Sequence, residues 1–285
     1  MGKILFGMAV ITAAIVLTLG VWRWSDKQAD KTVWNTLALQ QPKSVLAFDE
    51  SMITGLPEPA QRYFRYAIQP GAPLYTVAEI AMEGEFSLGN KAEPNYMSMR
   101  AQEIIAAPQG FVWTVRTGTA GSIAGSDGAK DGTSWSRFWL YGLVPVARAG
   151  NNRDHARAAF GRYVAEAIFW TPAALLPTEH VHWEWVNSST ARVTMLHMSL
   201  DQAVDLTVDS DGRLTKVKLQ RWSNANASKK YQWQAFGGYL SDYKEFGGFR
   251  LPTRIDAGNF FETDDYFPFF KVTVTSVTFP QSGTG

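Results

Sequence analysis

The chain has 285 residues, 46% hydrophobic, 13% aromatic and 19% charged, and its 27 Lys+Arg nearly cancel 26 Asp+Glu to leave a formal net charge of +1. This balance excludes a strongly basic nucleic-acid binder, and so little charge with so many aromatics excludes a disordered chain. With no cysteine present, disulfides, thiolate metal sites, a cysteine nucleophile and a lipid-modified N-terminal cysteine are excluded as well.

Residues 4–22 form a run of nineteen positions without a charge. At about 1.5 Å rise per residue a helix of this length spans roughly 28 Å, the thickness of a bilayer's hydrocarbon core. A cleaved signal peptide has an apolar stretch of only about 7–15 residues, so the length favours an uncleaved anchor over residues 1–24. Trp22 and Trp24 stand where interfacial tryptophans of an anchored helix stand. Lys3 on one side faces Arg23, Lys27 and Lys31 on the other, softened by Asp26 and Asp30, so the positive charges do not fix the orientation. A short N-terminal tail before a long folded body is the pattern of a single-pass inner-membrane protein with its domain on the outer, periplasmic side. The start Met-Gly-Lys-Ile-Leu-Phe lacks the Ser/Thr of a myristoylation signal at position six.

Residues 25–70 read as a juxtamembrane helical segment. Val33, Trp34, Leu37 and Ala38 fall at helical spacing, and Pro42 closes the run. A second helix starts at Leu56-Pro57-Glu58-Pro59, where proline is tolerated in a first turn, and ends by Pro70-Gly71; Arg62 and Arg65 flank its apolar face as solvated charges.

From residue 71 to 285 the texture is that of an antiparallel β domain. Runs rich in β-branched and aromatic residues occupy 76–88, 96–106, 111–117, 134–140, 181–186, 192–200, 203–208, 214–222, 230–243, 250–257 and 267–279. Asp209-Ser210-Asp211-Gly212 is a hairpin turn between two of them. One helix interrupts the strands at 153–170, with Asn152 as its N-cap, Ala156, Phe160, Tyr163, Val164, Ala167 and Ile168 on one face, and Pro172 beyond its end. The fold class is therefore mainly β: an antiparallel meander curled into a half-barrel or open barrel with one inserted helix, plus an N-terminal transmembrane helix. Phe111 with Trp113, Trp135 with Trp139, Trp183 with Trp185, and Phe160 with Tyr163 each share a face. Such aromatics either fill a core or line an enclosed apolar volume.

Most catalytic motifs fail. The glycine-rich stretch 118–128 never places glycine two before and two after one serine, lacks a phosphate-loop lysine, and contains no dinucleotide fingerprint. His180, His182 and Glu184 fall on one side of a strand, with Val181, Trp183 and Trp185 turned inward. That is a possible N,N,O set for zinc, but a polar outer face gives the same pattern. His155 and His197 stand alone. Asp264 with Asp265, or Glu262 with Asp256, are candidate carboxylate pairs of the kind glycosidases use. Arg221 points to the side of Val217 and Leu219, and an inward arginine needs a partner, for which Glu166 or Asp205 are the candidates. Residues 260–270 carry six aromatics around an acidic turn, either an exposed loop that gates an apolar cargo or two strands whose rings face the core.

Four motifs together resemble an uncharacterised family of bacterial proteins: Leu56-Pro57-Glu58-Pro59-Ala60-Gln61-Arg62-Tyr63-Phe64-Arg65-Tyr66, then Met82-Glu83-Gly84-Glu85-Phe86, then Phe111-Val112-Trp113, and Arg162-x-x-x-Glu166-x-x-x-Trp170-x-Pro172. The resemblance runs from about residue 56 onward and lifts Glu166, Trp170 and Arg221 above a plain surface reading. The family brings no activity with it. More loosely, the meander with its inserted helix is similar to the half-barrel of LolA/LolB-type lipoprotein carriers, from which a helical anchor is a departure.

The sequence thus predicts a membrane-anchored envelope protein that binds an apolar ligand, a lipid or an acylated protein, in an aromatic-lined concave sheet, without catalysis. The side chains expected at the ligand are Trp113, Trp139, Phe160, Tyr163, Glu166, Trp170, Trp183 and Arg221. The alternatives are an envelope hydrolase using carboxylates or the His180, His182 and Glu184 face, and a ligand-free interaction scaffold. No catalytic residue and no cofactor are assigned. The expected partners are the bilayer, through residues 4–22, and a lipid or lipoprotein ligand, with no nucleic acid.

Overall fold

The computed structural model describes residues 2–281; the first residue of the expected anchor and positions 282–285 of the expected β domain lie outside the described residues. Helix α1 runs unbroken over Gly2–Ala38 and is long and apolar enough to cross a membrane, its most apolar window having a mean hydropathy of 2.5. The two N-terminal helical segments read from the sequence are one element, because nothing between Trp22 and Asp26 interrupts the backbone ladder. Helix α2 occupies Glu58–Ala67, with prolines at its start. Helix α3 is Arg153–Trp170, and the Asn152 side chain accepts the His155 N–H at 2.9 Å as the predicted N-cap.

The strands are β1 (Ala78–Ser87), β2 (Tyr96–Ala106), β3 (Gly110–Thr117), β4 (Ile123–Lys130), β5 (Thr133–Leu140), β6 (Val144–Gly150), β7 (Val181–Asn187), β8 (Thr190–His197), β9 (Leu200–Val208), β10 (Leu214–Ser223), β11 (Gln232–Phe246), β12 (Phe249–Asn259) and β13 (Phe267–Thr278). They form one thirteen-stranded sheet in the order β6-β5-β4-β3-β2-β1-β13-β12-β11-β10-β9-β8-β7. The neighbours are antiparallel throughout. The first and last strands thus meet in mid-sheet, and a meander runs outward from each. The edges, β6 and β7, do not pair, so the sheet is open, and α3 connects one edge to the other across the concave face, packing on β10, β9 and β5.

Two strands, β4 and β6, are absent from the sequence-based runs. Strand β4 lies in the glycine-rich stretch, and its glycines make room for rings of the next strand. A Cβ on Gly128 would stand 2.2 Å from Trp135 Cζ2, and one on Gly125 would stand 2.5 Å from the Phe138 ring. The hairpin turn at 209–212 is present. Asp209 accepts the N–H groups of Asp211 and Arg213 at 3.0 and 2.9 Å, and Gly212 adopts φ +88° where a Cβ would strike the Arg62 carbonyl at 2.2 Å. Arg62 is not a free surface charge: it donates to the carbonyls of Asp209 and Ser188 at 2.8 and 2.7 Å, stapling α2 to the sheet.

The two faces of the sheet are covered differently. Helices α2 and α3 fill the concave side, where Phe64, Phe111, Phe160, Ile168 and Trp170 are buried in the main core. The C-terminal half of α1 lies on the convex side, where Leu37 is buried with Val77, Ile104, Ala106, Val112 and Trp135.

Candidate functional site

Between α3 and the concave face lies a cavity of about 220 Å³. Met82, Trp113, Trp170, Val217, Leu219, Leu240 and Ile255 are buried in its walls. Phe86, Phe138, Phe236, Phe269 and Phe270 line it while staying only half-buried, which marks them as its rim. The rim rings touch edge to face or tilted: Phe86 and Phe269 at 5.9 Å, Phe236 and Phe269 at 6.2 Å, Trp113 and Phe270 at 6.3 Å between centroids.

A buried ionic network lines the same cavity. Arg162 on α3 donates to Glu166 Oε1 at 2.9 Å and to Asp127 Oδ2 at 3.1 Å, and its guanidinium stands 4.8 Å from the Phe111 ring and 5.0 Å from that of Trp113. Glu103, 1% exposed, lies beyond hydrogen-bond reach at 4.0 Å from Arg162. Burial, with the Glu166 charge beside it, pushes the Glu103 carboxyl well above the usual carboxylate range. Burial opposes the Arg162 charge, but Glu166, Glu103 and Asp127 together outweigh it and hold this guanidinium above its ordinary value. Arg221 reaches the same cavity from β10, donates to the Ala158 carbonyl at 3.2 Å and lies 5.0 Å from the Phe236 ring. Burial and the like charge of Arg162 bring it down to about 10. Two arginines, Arg162 and Arg221, thus stand among three acids, Glu103, Asp127 and Glu166. Trp113 Nε1 is buried without a hydrogen-bond partner, whereas the Glu103 and Glu166 carboxyls lie within hydrogen-bond range of each other.

Behind Arg162, His155 touches Ser134 Oγ at 2.8 Å and Ser136 Oγ at 3.2 Å, and Ser136 donates to Asp127 at 2.6 Å. His155 is thus no isolated histidine. Serine stands between histidine and acid, however, whereas a nucleophilic triad needs the histidine in the middle. The cluster orients Asp127 toward Arg162.

Of the side chains expected at the ligand, Trp113, Glu166, Trp170 and Arg221 come together at this cavity. The other four sit elsewhere. Phe160 and Tyr163 pack into the α3–β3 core, Tyr163 against Phe111 at 5.6 Å with its hydroxyl on the Pro108 carbonyl. Trp183 ties β7 to α2, 5.4 Å from Phe64, and donates to the Leu175 carbonyl. Trp139 is on the opposite, convex face, where it donates to Asp26 of α1 at 3.0 Å. Spacing had paired it correctly with Trp135, but spacing does not say which face a helix covers.

The expected partner of Arg221 is also corrected in part: Asp205 is held by Arg192 at 2.7 Å. His182 and Glu184 are exposed on edge strand β7, and His180 stands 3.6 Å from Glu179. No group of three His, Cys, Asp or Glu side chains gathers to hold a metal among the described residues. Trp185, expected to point inward, is 65% exposed, because nothing covers that end of the edge strand. Glu262 is bound by Lys216 and Lys218, which hold it below the usual range, and Asp256 by Arg254, so neither acid is free. The 260–270 segment divides, with Phe261 buried beside Tyr239 and Tyr266 and Phe269 and Phe270 on the rim.

Sequence reasoning missed Glu103 and Asp127. Glu103 carried a readable signal: it alternates in phase with the buried Ala101 and Ile105, a charge on a core-facing row. Asp127 sat in a stretch not recognised as a strand.

Residues 46–272 match the family described as "Family of unknown function (DUF6544)", and the chain belongs to it. Among solved structures it is similar to the LolA superfamily protein NE2245 from Nitrosomonas europaea, with 12% identity and a TM-score of 0.44, covering 82% of this chain and 93% of that one. It is also similar to a putative outer membrane lipoprotein-sorting protein domain from Vibrio parahaemolyticus, with 12% identity and a TM-score of 0.39, covering 73% and 87%. No curated protein matches the chain.

Proposed function

We propose that this DUF6544 member is a membrane-tethered binding protein that takes one slender apolar chain, a lipid acyl group or the acyl group of a modified protein, into the cavity beneath α3. The single observation that carries this is the cavity's mixed lining: half-buried phenylalanines and buried aliphatic walls, interleaved with a buried ionic network beside which Trp113 Nε1 has no hydrogen-bond partner. Each methylene moved from water into such walls is worth about 0.8 kcal/mol, and the polar groups fix the head of the ligand without contributing much affinity. The cavity's size favours one chain over a bulky lipid, since drug-sized sites run to roughly 300–1,000 Å³. Residues 4–22 serve as a single-pass anchor, with the β domain outside the cytoplasmic membrane.

The test is direct. The full chain is purified, extracted with organic solvent and assayed by mass spectrometry for bound acyl compounds, alongside titration with a fluorescent long-chain fatty acid. Leu219→Arg, which fills the buried wall, is expected to abolish uptake. A wild-type protein that neither carries nor takes up an acyl compound overturns the reading.

A further inference from the structure

The course of α1 along β5 defines one end of the sheet. Leu37 shares a buried cluster with Trp135, while Asp26 accepts from Trp139 at 3.0 Å and Trp22 meets the Trp139 ring at 5.5 Å. Going toward its N-terminus, the helix therefore climbs β5 from 135 to 139, and its apolar segment continues past Leu140. The β5–β6 hairpin stands beside it there: a Cβ on Gly142 would lie 3.4 Å from Arg23 Nε. Around that turn Tyr141, Leu143, Val144 and Val146 are 76%, 40%, 51% and 51% exposed. These apolar side chains continue the apolar surface of the helix, with Trp22 and Trp24 at the junction.

The same junction holds unmatched positive charge. A groove of about 500 Å³ runs between α1 and the convex face, lined among others by Arg23, Lys27 and Arg116. The nearby acids are already taken, Asp26 by Arg148 at 2.7 Å, Asp30 by Arg137 at 3.6 Å and Glu83 by Arg100 at 3.9 Å. Arg23, Lys27 and Arg116 have no ion-pair partner among the described residues.

We infer that this end of the domain is a second membrane contact, in which the β5–β6 hairpin enters the bilayer interface and Arg23, Lys27 and Arg116 hold the phosphates of anionic phospholipids. The inference rests on the tethered reading and deepens it. The rim phenylalanines Phe86, Phe236 and Phe270 lie at the same end of the sheet: register places Phe86 opposite Phe270, sets Phe236 through Asn259 beside Phe267, and carries Gly84, Met99, Thr117, Ile123 and Leu140 to one level, two residues short of Phe86. Docking would therefore present the cavity mouth to the lipid from which a chain is drawn.

The absence of native cysteine makes the test clean. The full chain carrying Val144→Cys, labelled with an environment-sensitive fluorophore, is reconstituted into phosphatidylcholine vesicles with and without phosphatidylglycerol. The expected result is a blue-shifted label, quenched by spin-labelled lipid, and phosphatidylglycerol enriched around the protein. Arg23→Gln/Lys27→Gln/Arg116→Gln should lower that enrichment by about fivefold per cation removed, and Arg23→Lys/Arg116→Lys should retain it. A water-exposed label, or enrichment untouched by the triple variant, overturns the inference. Loss of enrichment to millimolar inorganic phosphate overturns the lipid assignment, and persistence supports it. Washing with alkaline carbonate separates the two readings: release of the wild-type chain overturns the tether and this contact with it, whereas retention with a water-exposed label overturns the contact alone.

Discussion

Glu103 stands in a row of buried apolar side chains, and its environment gives it a measurable signature. Because its carboxyl is held well above the usual range in the folded state, the native protein binds a proton that the unfolded chain releases at about pH 4.5. The stability this confers is complete below that pH and declines as pH rises toward the folded value, by up to about 1.4 kcal/mol per pH unit. Glu103→Gln keeps the neutral shape and removes the titration. Thermal melts of the two proteins should coincide near pH 4.5, and the variant should become the more stable one as pH rises to 8; parallel curves would show that Glu103 is ionised in the fold. Arg162 makes the complementary case. Replacing it with methionine strands Glu166 and Asp127, and removing one partner of a buried pair costs about 3–5 kcal/mol. Adding Glu166→Gln should recover part of that loss, and a double-mutant cycle by urea denaturation reads the coupling.

At the scale of elements, legibility followed the strength of local signals. Helix α3 was readable to the residue, because Asn152 caps it and Thr171-Pro172 ends it, and Asn152→Ala should cost about 1 kcal/mol in a thermal melt. Strand β4 was not readable, because its sequence, Ile-Ala-Gly-Ser-Asp-Gly-Ala-Lys, has neither β-branched alternation nor bulk. What makes it a strand is its neighbour: Trp135 lies over Gly128 and Phe138 over Gly125. The β propensity belongs to the pair of strands, so reading one run at a time loses it. Gly128→Ala should therefore displace the Trp135 ring and destabilise the protein by about 1–3 kcal/mol, with partial rescue by Trp135→Leu. Equal melting temperatures for Gly128→Ala and wild type would show that the ring has room to move. The same blindness hid Asp127 from the site, since a residue's face has no meaning until its strand is known.

At the scale of the whole molecule, what sequence could not supply was which side of the sheet each amphipathic element covers. Trp139 and Trp113 look alike as alternating aromatics, yet β5 turns Trp139 to the convex face and β3 turns Trp113 to the concave one. The choice is made by α1, whose Asp26 takes two hydrogen bonds from Arg148 and one from Trp139. This 8% exposed acid, with Asp30 one turn further on 3.6 Å from Arg137, is a clamp. It ties an apolar segment to the β domain through β5 and β6. Asp26→Ala should leave the sheet folded, with an unchanged β signature in circular dichroism, while freeing α1 to swing. Spin labels introduced pairwise at Gln28 and Thr275 should then give a broadened distance distribution in electron–electron resonance, against a narrow one in the protein with Asp26. An equally narrow distribution in the variant would mean that Leu37 and its convex-face cluster hold the helix without the ionic clamp.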